Sequence, residues 1–133
     1  MVEGKDMPVQ IKYIQGGIGI EFILSGDVTG VEIIAANKEI YYYDNLSHLK
    51  YKFIDKSTCT EYSVTGEEVK IIAEQDKKVS KINRNITVVF VSPTDLQYGM
   101  SRMWQVYAAE TGFQSKIFND RKSAEEWIRE KFN

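Results

Sequence analysis

The chain has 133 residues, 43% apolar and 27% charged, with a net charge of −2 at neutral pH. That is enough chain to bury a core as a single domain, and the composition is too apolar for a disordered polymer. The charge balance lacks the basic excess of a nucleic-acid-binding domain, and the clusters Lys77, Lys78, Lys81, Arg84 and Arg121, Lys122 read as solvated helix faces or ends, so no nucleic-acid partner is expected.

Residues 1–8 read as a flexible tail and 9–133 as one domain. Val9 to Ile14 and Ile18 to Leu24 alternate apolar and polar around Gln15-Gly16-Gly17, which predicts an antiparallel hairpin. Thr29 and Glu32 then have capping-box spacing, so a helix is expected from about Gly30 to Tyr42, with Ile33, Ile34, Ile40 and Tyr41 inward. Leu49 to Ile54 alternates again as a third strand, followed by a loop from Asp55 to Tyr62. Thr65 and Glu68 repeat the capping box, and the helix after them should bury Val69, Ile72, Ala73 and Val79.

Ile86 to Val91 is apolar on both faces apart from Thr87, as in a central parallel strand. Ser92 stands as a helix cap, with Pro93 at the first helical position and Asp95 at the third. The third helix carries Leu96, Met100, Met103, Trp104, Tyr107 and Ala108 as a stripe and closes at Thr111-Gly112, where glycine suits a left-handed cap. Phe113 to Phe118 is the last strand, and Asn119 or Asp120 caps a final helix that buries Ala124, Trp127, Ile128 and Phe132.

The order is ββαβαβαβα: an N-terminal β-hairpin followed by βα units, giving a mixed, mostly parallel five-stranded sheet with four helices. If the strands lie in sequence order, right-handed crossovers place the connecting helices on one face. Ile18, Ile20, Phe22, Leu24, Leu49, Tyr51 and Phe53 are expected on that face, with Glu21, Lys50, Lys52 and Lys12 on a more polar one.

Chemistry-bearing groups are sparse. One histidine and one cysteine cannot supply the usual ligands of a zinc site, and no cofactor is expected. Gly16-Gly17-Ile18-Gly19 precedes a strand, with Phe22 where a dinucleotide loop needs glycine, so it reads as a turn. His48 reads as an exposed loop residue, and Cys59 as an inert thiol with no neighbouring base to lower its pKa. The single cysteine fits a reducing compartment. The N-terminus lacks a signal-peptide core and no apolar run spans a bilayer, so a cytoplasmic location is expected.

Ligands of open α/β sheets bind beyond the carboxyl ends of the strands, where helix N-termini offer free N–H groups. That rim should gather Ser63, Thr65 and Gly66 with Ser92, Thr94, Asp95, Tyr98 and Arg102. Capping accounts for Thr65 and Ser92 but not for Tyr98 and Arg102. A hydrolase using Asp95 and Arg102 is a weak alternative, since no nucleophile and base stand at recognisable spacing.

The segments VVFVSPTDLQYGMSRMW (88–104) and FQSKIFNDRKSAEEWI (113–128) resemble the SpoIIAA-like group, the STAS domains related to bacterial anti-anti-sigma factors and to the CRAL-TRIO lipid-transfer fold. The resemblance implies a non-enzymatic regulatory module whose partner is another protein, with a small apolar ligand or lipid as the alternative. Anti-anti-sigma members switch by phosphorylation in an Asp-Ser-Ser-Gly turn. Ser63, Val64, Thr65 and Gly66 stand there in this chain, so Val64 replaces the phosphoacceptor and Thr65 offers a hydroxyl one position away. In the carrier alternative, the Met100/Met103/Trp104 stripe and Tyr41-Tyr42-Tyr43 would line an apolar pocket. A homodimer through pairing of the Phe113 to Phe118 edge is a further expectation.

Overall fold

The computed structural model describes residues 7–132. Of the expected tail, residues 1–6 lie outside the described residues; Pro8 is tied to the sheet, its carbonyl accepting the Ser25 N–H at 2.9 Å. The strands are β1 (Val9–Tyr13), β2 (Gly19–Thr29), β3 (Tyr51–Ser63), β4 (Thr87–Val91) and β5 (Gln114–Phe118). The helices are α1 (Gly30–Ile40), α2 (Gly66–Ser80), α3 (Asp95–Tyr107) and α4 (Arg121–Phe132). This is the expected α/β order.

The sheet order is β1-β2-β3-β4-β5, with β1 antiparallel to β2 and every other pair parallel. Gly16 and Gly17 make the hairpin turn at φ of 89° and 74°, where a side chain would be strained. Because each parallel connection crosses over with the same hand, α1, α2 and α3 share one face. There Ile20, Phe22, Leu24, Val88 and Phe90 pack against Ile33, Ile40, Val69, Ala73 and Trp104. The last helix, α4, covers the other face, where Ala124 and Ile128 lie over Tyr51, Phe53, Val89 and Val91.

The register corrects the expected division of faces. Ile20 pairs with Lys52 and Phe22 with Ile54, so Tyr51 and Phe53 point into the α4 layer. Ile18 also packs there rather than with Ile20. Glu21 does share the α4 face, with Lys12 opposite it in the register, but that face is substantially apolar. Its charges are concentrated in Glu21 and Asp55, both bridged by Arg121. Lys52 lies instead beneath the helices, where burial is tolerated because Asp76 Oδ1 stands 3.1 Å from its Nζ.

The loop expected from Asp55 to Tyr62 is strand. β2 and β3 outrun the rest of the sheet, with a register irregularity on each side of Ser25-Gly26. Hydroxyls secure this extension: Thr58 Oγ1 donates to the Leu24 carbonyl at 2.8 Å, and Thr60 Oγ1 to Asp27 Oδ1 at 3.2 Å. The buried positions of this stretch are mostly polar, Asp55 and Lys56 among them, so it lacks the apolar alternation of a strand and reads as loop.

Two helices also differ in detail. Tyr41 is exposed beyond the end of α1, and Tyr43 instead stacks on Tyr13 with ring centroids 5.0 Å apart. On α3 the buried line runs Gln97, Ser101, Trp104 and Ala108, while Leu96 is exposed. The inward stripe is rotated by about one residue from the expected one, and it brings two polar side chains into the interior.

Candidate functional site

Each crossover helix begins with a threonine capping box. Glu32 N–H donates to Thr29 Oγ1 at 3.4 Å, Glu68 N–H to Thr65 Oγ1 at 3.1 Å, and Gln97 N–H to Thr94 Oγ1 at 3.1 Å. In all three the side chain at the third position reaches back to the threonine N–H. The cap of α3 is therefore Thr94 and not Ser92. The starts of α1 and α2 adjoin, since a side chain at Gly30 would collide with the Glu68 carboxylate, and the start of α2 lies against the third turn of α3, where a Cβ at Gly66 would stand 3.4 Å from the Met103 sulfur. Glycine at position 30 is thus required by the close approach of α1 to α2.

Most of the expected rim residues lie at the surface, Ser63 to Gly66 where β3 passes into α2 and Thr94 to Arg102 along the start of α3. Ser63, Thr65, Thr94, Asp95, Tyr98 and Arg102 are exposed, and Gly66 is half-buried. Asp95, Tyr98 and Arg102 recur at helical spacing and share one face of α3. Ser92 is excluded from this surface, being wholly buried, with its Oγ 2.9 Å from Ser101 Oγ.

Ser92 belongs to an interior polar chain that sequence reasoning missed. Lys56 Nζ donates to Ser101 Oγ at 3.0 Å, and Gln97 Nε2 to the Lys56 carbonyl at 3.3 Å. The rotated, partly polar stripe of α3 is thereby explained: Gln97 and Ser101 face inward because Lys56 is there. Burial draws the Lys56 amine down from 10.5 to about 7. A second buried network lies alongside. Asp76 accepts from Lys52 Nζ and Asn37 Nδ2 at 3.1 Å each, and from Trp104 Nε1 at 2.8 Å. The spacing of Lys52 and Lys56 on one strand face was a sequence signal, hidden by assigning Lys56 to a loop.

Other reactive groups are dispersed. The half-buried Cys59 thiol is pushed up to about 11, chiefly by burial, against a lowering by Lys56 and with a smaller rise from Asp55. His48 is exposed at the opposite end of the sheet, in the wall of an open groove of 890 Å³ that also takes Lys50, Arg84 and Lys131. The convergence of these four groups arises only in three dimensions. Tyr41, Tyr42 and Tyr43 do not join the methionine–tryptophan stripe: Met100 and Trp104 line a cavity of 40 Å³ in which none of the three tyrosines takes part.

No family model and no curated protein matches the chain. A solved structure does: an uncharacterised protein of the DUF3478 family from Shewanella loihica PV-4, itself described as having a SpoIIAA-like fold. The TM-score is 0.56 at 17% identity, over 90% of this chain and 91% of that one. Hairpin, sheet order, three helices on one face and a fourth on the other agree with that likeness, and the chain has a SpoIIAA-like fold.

Proposed function

We propose that the chain is a non-enzymatic, STAS-like regulatory module that binds another protein through the rim formed by Ser63 to Gly66 and the first turns of α3. The observation that carries this reading is the outward face of α3, where Tyr98 is 42% exposed beside Asp95 and Arg102. The exposed Leu96 adds apolar surface to the same first turn. Tyrosine and arginine are the residue types that dominate binding energy at protein interfaces, and a helix N-terminus beside them suits an acidic group of the partner.

A phospho-switch at Thr65 fits poorly with its surroundings. The Thr65 hydroxyl holds the N-terminus of α2, and its backbone N–H is bound by the Glu68 carboxylate at 2.9 Å. A phosphate there would displace the cap and stand beside Glu67 and Glu68. Regulation in this reading therefore acts through occupancy of the rim rather than through modification of Thr65.

The test is site-directed photo-crosslinking in host extract. A photoreactive residue at position 98 should give a discrete adduct with one protein, and the same residue at Lys50, in the opposite groove, should not. Equal adducts from both positions, or none from position 98, would remove the rim from the proposal.

A further inference from the structure

Lys56 lies in the wall of the 40 Å³ cavity between the sheet and helices α2 and α3. The residue is 3% exposed. Its Nζ makes one side-chain hydrogen bond, to Ser101, and sits 4.7 Å from the Tyr62 ring centroid and 5.3 Å from that of Phe90. Among the described residues no carboxylate comes within 4.0 Å of it, whereas the other cavity-lining charges, Lys52 and Asp76, are paired with each other at 3.1 Å. A lysine nitrogen carries up to three N–H donors, and burying it without a counter-charge opposes folding. Methionine would fill the same space without that penalty.

The surroundings are built around this amine. Ser101 and Gln97 occupy inward positions of α3 where the helix would otherwise place apolar side chains, and Ser92 backs Ser101 from the end of β4. The rest of the wall near it is apolar, with Leu24, Ile72, Met100 and Trp104. Ile72, Met100 and Tyr62 are half-buried, so on their side only these side chains stand between the cavity and solvent.

We propose that this cavity binds a monocarboxylate, its two oxygens taken by Lys56 Nζ and Ser101 Oγ and its carbon chain laid against Leu24, Ile72 and Met100. A water needs about 10–15 Å³ of such space, so the cavity holds a carboxylate and roughly one or two carbons before a chain must leave past Tyr62 and Met100. A single amine neutralises a single negative charge, which favours a carboxylate over a doubly charged phosphate. Near neutral pH the amine changes protonation on its own, and a bound carboxylate would hold the proton on it. Of the titratable groups around it, Tyr62 and Cys59 are both pushed up and stay neutral, and Lys52 and Asp76 compensate one another. This site is independent of the rim, and neither proposal depends on the other.

The experiment is calorimetric titration of the wild-type protein with propionate, octanoate and the neutral propionamide, repeated on Lys56→Met and Ser101→Ala. Saturable binding of propionate or octanoate is expected, with none of propionamide. Lys56→Met should weaken it about 10- to 100-fold, the value of a charge-assisted hydrogen bond, and Ser101→Ala less. Octanoate binding more than about tenfold tighter than propionate identifies the carboxylate of a long-chain acid, and equal affinities a short metabolic acid. A readout that needs no variant accompanies it: saturating ligand should move the titration midpoint of the Lys56 side-chain resonance upward. Absence of binding to about 10 mM, equal affinity of a folded Lys56→Met variant, or an unmoved Lys56 midpoint would overturn the proposal.

Discussion

Replacing Asp76 by alanine should be among the most damaging single changes in the molecule. The Lys52 and Asp76 side chains are 6% and 3% exposed, and one carboxylate satisfies Lys52, Asn37 and Trp104 at once. These partners come from β3, α1 and α3, so the carboxylate on α2 ties all three crossover helices to the sheet. Its removal leaves a buried ammonium without a counter-charge, held only by Asn37 Oδ1, and the buried Trp104 N–H without an acceptor, a loss of about 3–5 kcal/mol. Unfolding entropy near 2.1 cal/mol/K per residue gives about 0.28 kcal/mol/K for this length, so Tm should fall by about 10–18 °C. Thermal melts followed by far-ultraviolet circular dichroism measure this directly. The double change Lys52→Met with Asp76→Leu should lose less than Asp76→Ala alone, because no charge is then stranded. A fall of less than about 3 °C for Asp76→Ala would refute the claim that this carboxylate holds the layers together.

Further expectations concern single groups. The Lys56 amine is lowered to about 7 in the folded chain against 10.5 when free, so the unfolded chain binds more protons between those values and stability rises with pH there, levelling off below 7. Denaturant titrations should show the wild type gaining about 2–3 kcal/mol on Lys56→Met between about pH 7 and 9; parallel curves would contradict it. Cys59, its thiol pushed up to about 11, should react with iodoacetamide at neutral pH at least about tenfold more slowly than free cysteine, and a rate equal to free thiol would be evidence against its burial. Thr65→Ala removes one capping box and should lower stability by about 1 kcal/mol, while Thr65→Asp, itself a good cap, should leave it nearly unchanged. Equal losses for both would show that the hydroxyl does not act as a cap.

The parts of this fold that were legible in the sequence are those where local chemistry and tertiary packing agree. The boxes Thr29/Glu32 and Thr65/Glu68 set the starts of α1 and α2 to the residue, and Gly112 is left-handed as expected, although it caps a 3-10 turn, Ala109–Thr111, that follows the end of α3 at Tyr107. The third box was overlooked because Ser92-Pro93 offered a plausible cap two residues earlier. Lys52 reads as a solvent-facing residue because its partner Asp76 lies 24 positions away on another element. The register of β3 followed from that misreading, since a one-residue slip moves every side chain to the other face. Gln97 and Ser101 could not be recognised as inward while Lys56 was assigned to a loop. The exposure of Tyr98 and Arg102, by contrast, was legible from helical spacing alone.

The outward face of α3 is the proposed protein-binding surface. The measurement that tests it most directly is the affinity of the crosslinked partner for wild type, Tyr98→Ala and Arg102→Glu, with a thermal melt of each variant. Both substitutions should weaken binding at least about tenfold, as hot-spot residues do, while leaving Tm within about 2 °C because both side chains are exposed. Undiminished affinity in both variants would move the binding surface away from α3 and the carboxyl rim.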